Sequence, residues 1–307
     1  MNIVSIPKSE ELDIREKQLA PLGKKLRIFF QLSKYFLSSI QSRKTDYVSL
    51  LGIFLRLPQA SVKEILGKNQ SYVKKLDARR YRTQKSSFIG KYCKEFQCAR
   101  EADYCDLVQR DQRSRILCSF HMGDYIYGCN YLASLEEGHR SKKVLSFGAA
   151  PESYFDNLAK AFGNSSIKRS AELLVEQTSV VDLTRLIRSE KTTLLMFCDL
   201  PAEYGETVTV PFLGRRARFS KGPAVVALAS RTPLLPVVNF IDGQINCIEI
   251  RPLIEPNIKP GENFTQAVVR ITAELVSTFE EIFKSYPEQW RYLTLLPDYF
   301  EAMTPEK

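Results

Sequence analysis

Residues Arg115–Ile126 read RILCSFHMGDYI. The apolar run Ile116–Phe120 has the length of a buried strand. It stops at His121-Met122-Gly123-Asp124, a short loop marked by its glycine, after which the pattern turns helical. A strand that delivers a histidine to the mouth of a loop, with an acid three residues on, makes a seat for a general base, because imidazole changes charge near neutral pH. The chain has two histidines, and the other, His139, lies in the polar stretch EEGHRSKK. A loop histidine held by a backbone carbonyl would give the same pattern, so these twelve residues leave both readings open.

Outward from this stretch, strand and helix patterns alternate. The strands read Ile116–Phe120, Lys143–Phe147, Thr193–Asp199, Val208–Phe212, Leu234–Phe240 and Ile245–Arg251. The helices read Tyr125–Glu136, Glu152–Phe162, Glu176–Ser189 and Lys221–Ser230. Asn263–Tyr286 follows as a long helix whose stripe of Val268, Ile271, Leu275, Phe279, Ile282 and Phe283 packs on a core. The expected fold is α/β: an open, largely parallel sheet flanked by helices on both faces, preceded by a basic helical N-terminal region. In such sheets sites form at the carboxyl ends of the strands. His121 and Asp199 each close an apolar strand, so both belong to that edge.

The 307 residues are 44% hydrophobic and 26% charged, enough to bury a full core. The net charge of +9 is uneven. Residues 1–100 hold 21 Lys and Arg against 8 Asp and Glu, a net of +13, and the remainder has a net of −4. A basic half calls for an acidic partner. No nucleic-acid motif accompanies it, so no nucleic acid is expected. Leu26–Ile40 reads as a basic amphipathic helix, suited either to an anionic membrane interface or to the protein core. Tyr47–Leu57 and the very basic Val62–Lys94 also read as helical. Arg27, Gln31 and Lys34 interrupt Leu26–Ile40, which falls short of the roughly 18–20 apolar residues of a membrane span. No cleavable signal is legible either. The expectation is a cytoplasmic protein, either free or in peripheral contact with the inner face of the cytoplasmic membrane.

Seven cysteines, with no C-x-x-C pair and an odd count, fit free thiols in a reducing compartment. No metal-ligand spacing appears, so no metal is expected. There is no G-x-S-x-G, no P-loop and no G-x-G-x-x-G pattern, which argues against a common serine hydrolase, a P-loop enzyme and a standard dinucleotide binder.

Two further clusters carry chemistry. Asp199-Leu-Pro-Ala-Glu203-Tyr-Gly205 is an acidic loop at a strand end, or a turn with two solvated carboxylates. In VPFLGRRARFSKG, residues 210–222, a Gly-containing turn with Arg215, Arg216, Arg218 and Lys221 precedes a helix start, an arrangement suited to phosphate.

Together these blocks resemble the bacterial lysophospholipid-acyltransferase-like superfamily, and within it the late (lauroyl/myristoyl) acyltransferases of lipid A biosynthesis. The resemblance rests on strand-HMGD-helix, strand-DLPAEYG, VPFLGR…SKGP with its AVVALA helix, TPLLPV and the closing PEQW, over about Leu107–Leu296. It implies an acyltransferase-like α/β core over 101–300, with the basic helical region of 1–100 packed on or preceding that core and a tail over 301–307. It also implies acyl transfer from a thioester, acyl carrier protein or acyl-coenzyme A, to a hydroxyl or amine, with no cofactor. His121 matches the general base of the family's His-x4-acid motif. The acid of that motif would fall at position 126, where this chain has Ile126. Asp124, Asp199 and Glu203 are the acids able to replace it. Backbone N–H groups around Gly123, with an arginine of 215–218, would hold the oxyanion. No covalent acyl-enzyme is required, and attack by Cys118 is the lesser alternative. The family's lipid A members usually begin with a membrane-spanning helix. Without one legible here, the acceptor is expected to be either a glycolipid or a smaller secondary-metabolite or peptide intermediate. The competing reading is a lapsed fold that binds an acyl chain or carrier without turnover.

Overall fold

A computed structural model describes residues 44–83, 96–136, 141–145, 171–174, 179–189 and 191–301. The expected helices Leu26–Ile40 and Glu152–Phe162, and His139, lie outside them. The chain divides into two compact units, Met1–Gln59 and Ala60–Lys307. In the first, Lys44–Leu55 forms helix α1.

The second unit is an α/β structure. Helix α2 occupies Gln59–Thr83 and α3 Glu101–Arg110, with strand β1, Phe96–Cys98, between them. Then come β2 (Arg115–Ser119), α4 (Tyr125–Leu135), β3 (Ser141–Leu145) and β4 (Ala171–Leu174). Helix α5 (Val180–Ser189) leads to β5 (Thr192–Phe197). A hairpin of β6 (Thr207–Phe212) and β7 (Arg215–Ser220) follows, turning at Leu213-Gly214. Helix α6 (Gly222–Ser230), strands β8 (Leu234–Asp242) and β9 (Ile245–Ile250), the long α7 (Phe264–Ser285) and the short α8 (Leu296–Tyr299) come last among the described residues.

Among the described residues, seven strands form one sheet in the order β1-β9-β8-β2-β5-β3-β4. Every neighbouring pair is parallel except β8 with β9. The central strands β2 and β5 carry near-continuous apolar runs because helices cover them from both sides. Alternation assigns each side chain to a face. Leu117, Leu195, Leu235 and Val237 meet Tyr104 of α3 and Tyr127, Cys129 and Leu132 of α4. On the opposite face Phe120, just past β2, stacks on Phe279 of α7 at 4.4 Å.

Helix α7 buries Val268, Ile271, Leu275, Phe279 and Phe283, while Ile282 is half-buried. Its start is fixed by a capping box: the Asn263 side chain accepts from the Gln266 N–H, and the Gln266 side chain accepts from the Asn263 N–H. Asn263→Ala removes the first bond and is expected to lower stability by about 1 kcal/mol. The shift of the urea midpoint at unchanged slope measures this, and an unchanged midpoint would show that the box contributes nothing.

No helix of the described residues is long and apolar enough to cross a membrane.

Candidate active site

The site begins with strand register. β2 and β5 run parallel, with Ser119 opposite Phe197. His121 lies two residues past Ser119, and Asp199 lies two residues past Phe197. Equal offsets from aligned strand ends bring the two together at the carboxyl edge of the sheet. His121 Nδ1 is 2.8 Å from Asp199 Oδ1. The His121 backbone N–H donates to Asp199 Oδ2 at 2.7 Å. One carboxylate therefore grips the histidine by main chain and ring at once, which fixes both position and tilt of the imidazole.

The carboxylate is itself held. Asp199 is fully buried, and its Oδ2 also accepts from the indole N–H of Trp290 at 2.8 Å. The Tyr299 hydroxyl donates to the Asp199 backbone carbonyl at 2.7 Å. A buried carboxylate without such donors would be costly, whereas here the two oxygens share three partners. The C-terminal segment that brings Trp290 is stitched to the His121 loop. Met122 and Trp290 form an antiparallel bridge, and the Arg291 N–H donates to the His121 carbonyl at 2.8 Å.

Aromatic rings surround the imidazole. Phe197, Tyr125 and Tyr292 have ring centroids 4.3, 4.7 and 5.0 Å from that of His121. The imidazole keeps 11% of its side-chain surface exposed, so part of it still reaches solvent. Burial, reinforced by the Asp199 charge, pushes the Tyr292 and Tyr299 phenols well above their usual range. They stay protonated at neutral pH.

The loop between His121 and α4 turns at Gly123, whose φ is +59°. Its α-carbon lies against the backbone of β8: a Cβ there would overlap the Asn239 carbonyl and come within 2.6 Å of the Phe240 nitrogen. Both the left-handed conformation and the close approach demand glycine.

The other residues singled out from sequence lie as follows. Asp124 is buried at the N-cap position of α4. Ile126 is half-buried in the first turn of α4. Glu203 is exposed on the 3-10 turn Ala202–Tyr204. Arg215, Arg216 and Arg218 belong to β7, where the alternation that buries Ala217 and Phe219 leaves Arg216 and Arg218 exposed. Arg216 pairs with Glu301 at 2.8 Å, Arg218 donates to the Asp298 carbonyl, and Lys221 pairs with Glu206. Cys118 is fully buried, and that burial pushes its thiol far up, which makes it a poor nucleophile. Sequence reasoning gave Trp290, Tyr292, Tyr299, Tyr125 and Phe197 no role at the site. The one available signal was the chain's single tryptophan, in YPEQWRY.

Residues 93–296 match the family model of the bacterial lipid A biosynthesis acyltransferases. The chain belongs to that family. The matched span includes both strand ends that carry His121 and Asp199, and it includes Trp290. Comparison with curated proteins returns no match. For a bacterial lipid A biosynthesis acyltransferase family member the chemistry is acyl transfer, which requires an acyl donor as substrate. The resemblance read from the sequence blocks is thereby shown as family membership.

Proposed function

We propose that this chain moves a fatty acyl group from a thioester, acyl carrier protein or acyl-coenzyme A, to a hydroxyl or amine, with His121 as general base and Asp199 as the carboxylate that orients it. The observation that carries the reading is the 2.8 Å contact between His121 Nδ1 and Asp199 Oδ1 at the carboxyl edge of the sheet. With Nδ1 engaged, Nε2 is the nitrogen left to take the acceptor's proton. As that proton leaves, the acceptor oxygen or nitrogen bonds to the thioester carbonyl carbon. Backbone N–H groups around Gly123 hold the resulting oxyanion. The carbon–sulfur bond then breaks, and the imidazolium returns its proton to the departing thiolate. Asp199 stabilises the imidazolium between the two transfers. Ile126, where the family motif has its acid, fits this scheme because Asp199 supplies a carboxylate from the neighbouring strand.

Arg215, Arg216, Arg218 and Lys221 are assigned to phosphate on the donor or acceptor. The Arg216–Glu301 pair is exposed, and solvent screening leaves such pairs contributing little. Exchanging Glu301 for a phosphate costs correspondingly little. The family's part in lipid A biosynthesis favours a glycolipid acceptor at the membrane face over a smaller polar one, and the basic residues of 1–100 favour peripheral contact with anionic lipid.

The test is mass spectrometry of the protein incubated with acyl-coenzyme A and acyl carrier protein thioesters and with hydroxyl and amine acceptors, glycolipids included. The expected result is an acylated acceptor that disappears with His121→Ala. Bound thioester with no product from either protein would point instead to a lapsed binding fold, and product undiminished in the variant would remove His121 from the chemistry.

A further inference from the structure

We propose that Trp290 is a positioning residue: its indole N–H holds Asp199 Oδ2 so that Oδ1 is presented to His121 Nδ1, and the strength of that bond sets how readily the imidazole takes up a proton. The inference rests on the reading of His121 as the base.

Asp199 divides its oxygens unequally. Oδ2 receives the His121 backbone N–H and the Trp290 indole N–H, while Oδ1 meets the imidazole. Trp290 therefore competes with the imidazole for the same negative charge. It also stops the carboxylate from rotating about its Cβ–Cγ bond. The indole has no freedom of its own. It is fully buried, and it packs against Phe279, Phe283, Tyr292 and Tyr299. Its backbone is pinned from a distant helix: the buried Asn69 of α2 donates from one amide nitrogen to the carbonyls of Glu288 and Trp290, each at 2.8 Å. A side chain placed only to fill space would not need its single polar atom aimed at the acid that meets the base.

Among the described residues, Asp199, Tyr125 and Tyr292 face the imidazole, Tyr299 and Cys118 lie close to Asp199, and the charges of Arg291 and Glu203 act on Tyr292 and Tyr299. Burial and the Asp199 charge push up Tyr292, Tyr299 and Cys118, so none of these three changes charge in the neutral range.

The sign follows from charge. Removing the indole donor leaves more negative charge on Asp199 for the imidazole, which stabilises imidazolium, so the ring should titrate at higher pH. Strengthening the donor should do the reverse. The experiment is nitrogen NMR of the imidazole against pH, assigned with His139→Gln, since the chain has only two histidines. Trp290→Phe is expected to move the His121 titration to higher pH. Phe283→Leu loosens the same aromatic packing without touching Asp199, and is expected to lower the melting temperature while leaving the titration in place. Because Trp290 is the chain's one tryptophan, growth on a ring-fluorinated tryptophan alters this indole alone. Fluorine makes the N–H a stronger donor at nearly constant shape, so the titration should move down, and this arm decides if Trp290→Phe does not fold. A titration unmoved by the fluorinated indole, or moved as far by Phe283→Leu as by Trp290→Phe, would overturn the proposal. The NMR readout needs no substrate. An inactive protein, or a His121→Ala variant that still transfers acyl groups, would sink the catalytic reading while leaving the positioning result to be read separately.

Discussion

Asp199→Asn and His121→Ala are each expected to lower acyl transfer by about 10³-fold, and the double variant by little more than either alone. Asparagine keeps the shape of aspartate but not its acceptor pair. In the native site Oδ2 accepts two N–H groups, from the His121 backbone and from Trp290. Those donors cannot turn away, because one is main chain and the other is locked in the aromatic cluster. The Asn oxygen must therefore stay where Oδ2 was, which turns the amide NH2 toward His121 Nδ1. Nδ1 then has to accept, and the ring proton moves to Nε2. A nitrogen that already carries a proton cannot remove one from the acceptor. The loss thus comes from the wrong tautomer, with the fold kept intact, and general-base contributions of 10²–10⁴ set its scale. Single-turnover rates at saturating thioester give the comparison, with circular dichroism as the check on folding. If Asp199→Asn retained more than a tenth of the rate, the carboxylate would not be orienting the base. If the two effects multiplied, the residues would be acting separately.

The legible part of the fold is the part buried on both sides. Ile116–Phe120, Thr193–Asp199 and Leu234–Phe240 stand out as apolar runs because helices cover both faces of β2, β5 and β8. β1 has three residues and β4 four, too few to show a period. β7 reads Arg-Arg-Ala-Arg-Phe-Ser, and its cations hide an alternation that the burial of Ala217 and Phe219 makes plain. The site divides the same way. His121 is legible because strand, loop and helix start are local events. Asp199 is visible from sequence only as one acid among three, since 78 residues separate it from His121. Its selection depends on β2 and β5 being neighbours and on two equal offsets past aligned strand ends. Trp290 lies 91 residues beyond Asp199, and nothing local assigns its N–H to a carboxylate. The Ile126 departure from the motif is likewise a statement about one helix turn, whereas the acid that meets the imidazole arrives across the sheet.

Gly123→Ala is expected to destabilise the protein by about 3 kcal/mol or more and to slow transfer by about 10²-fold in whatever remains folded. Two costs add at this position. A left-handed φ of +59° costs an alanine about 1–2 kcal/mol. The new methyl also meets backbone: it overlaps the Asn239 carbonyl and crowds the Phe240 nitrogen. Asn239 and Phe240 belong to β8, where they pair with Ile248 and Cys247 of β9, so the strand cannot shift without straining those ladder bonds. The loop has to move, and it carries His121 two residues upstream. Gly261 separates the two costs, because it also has positive φ, +80°, yet nothing lies within 4 Å of a Cβ there. Gly261→Ala should therefore show only the conformational part, about 1 kcal/mol, with transfer unchanged. Urea unfolding of both variants, paired with the transfer assay, distinguishes the cases. Equal stability losses at the two glycines would mean that β8 yields to the methyl. A destabilised Gly123→Ala protein with a full rate in its folded fraction would mean that the His121 loop is not what holds the base in place.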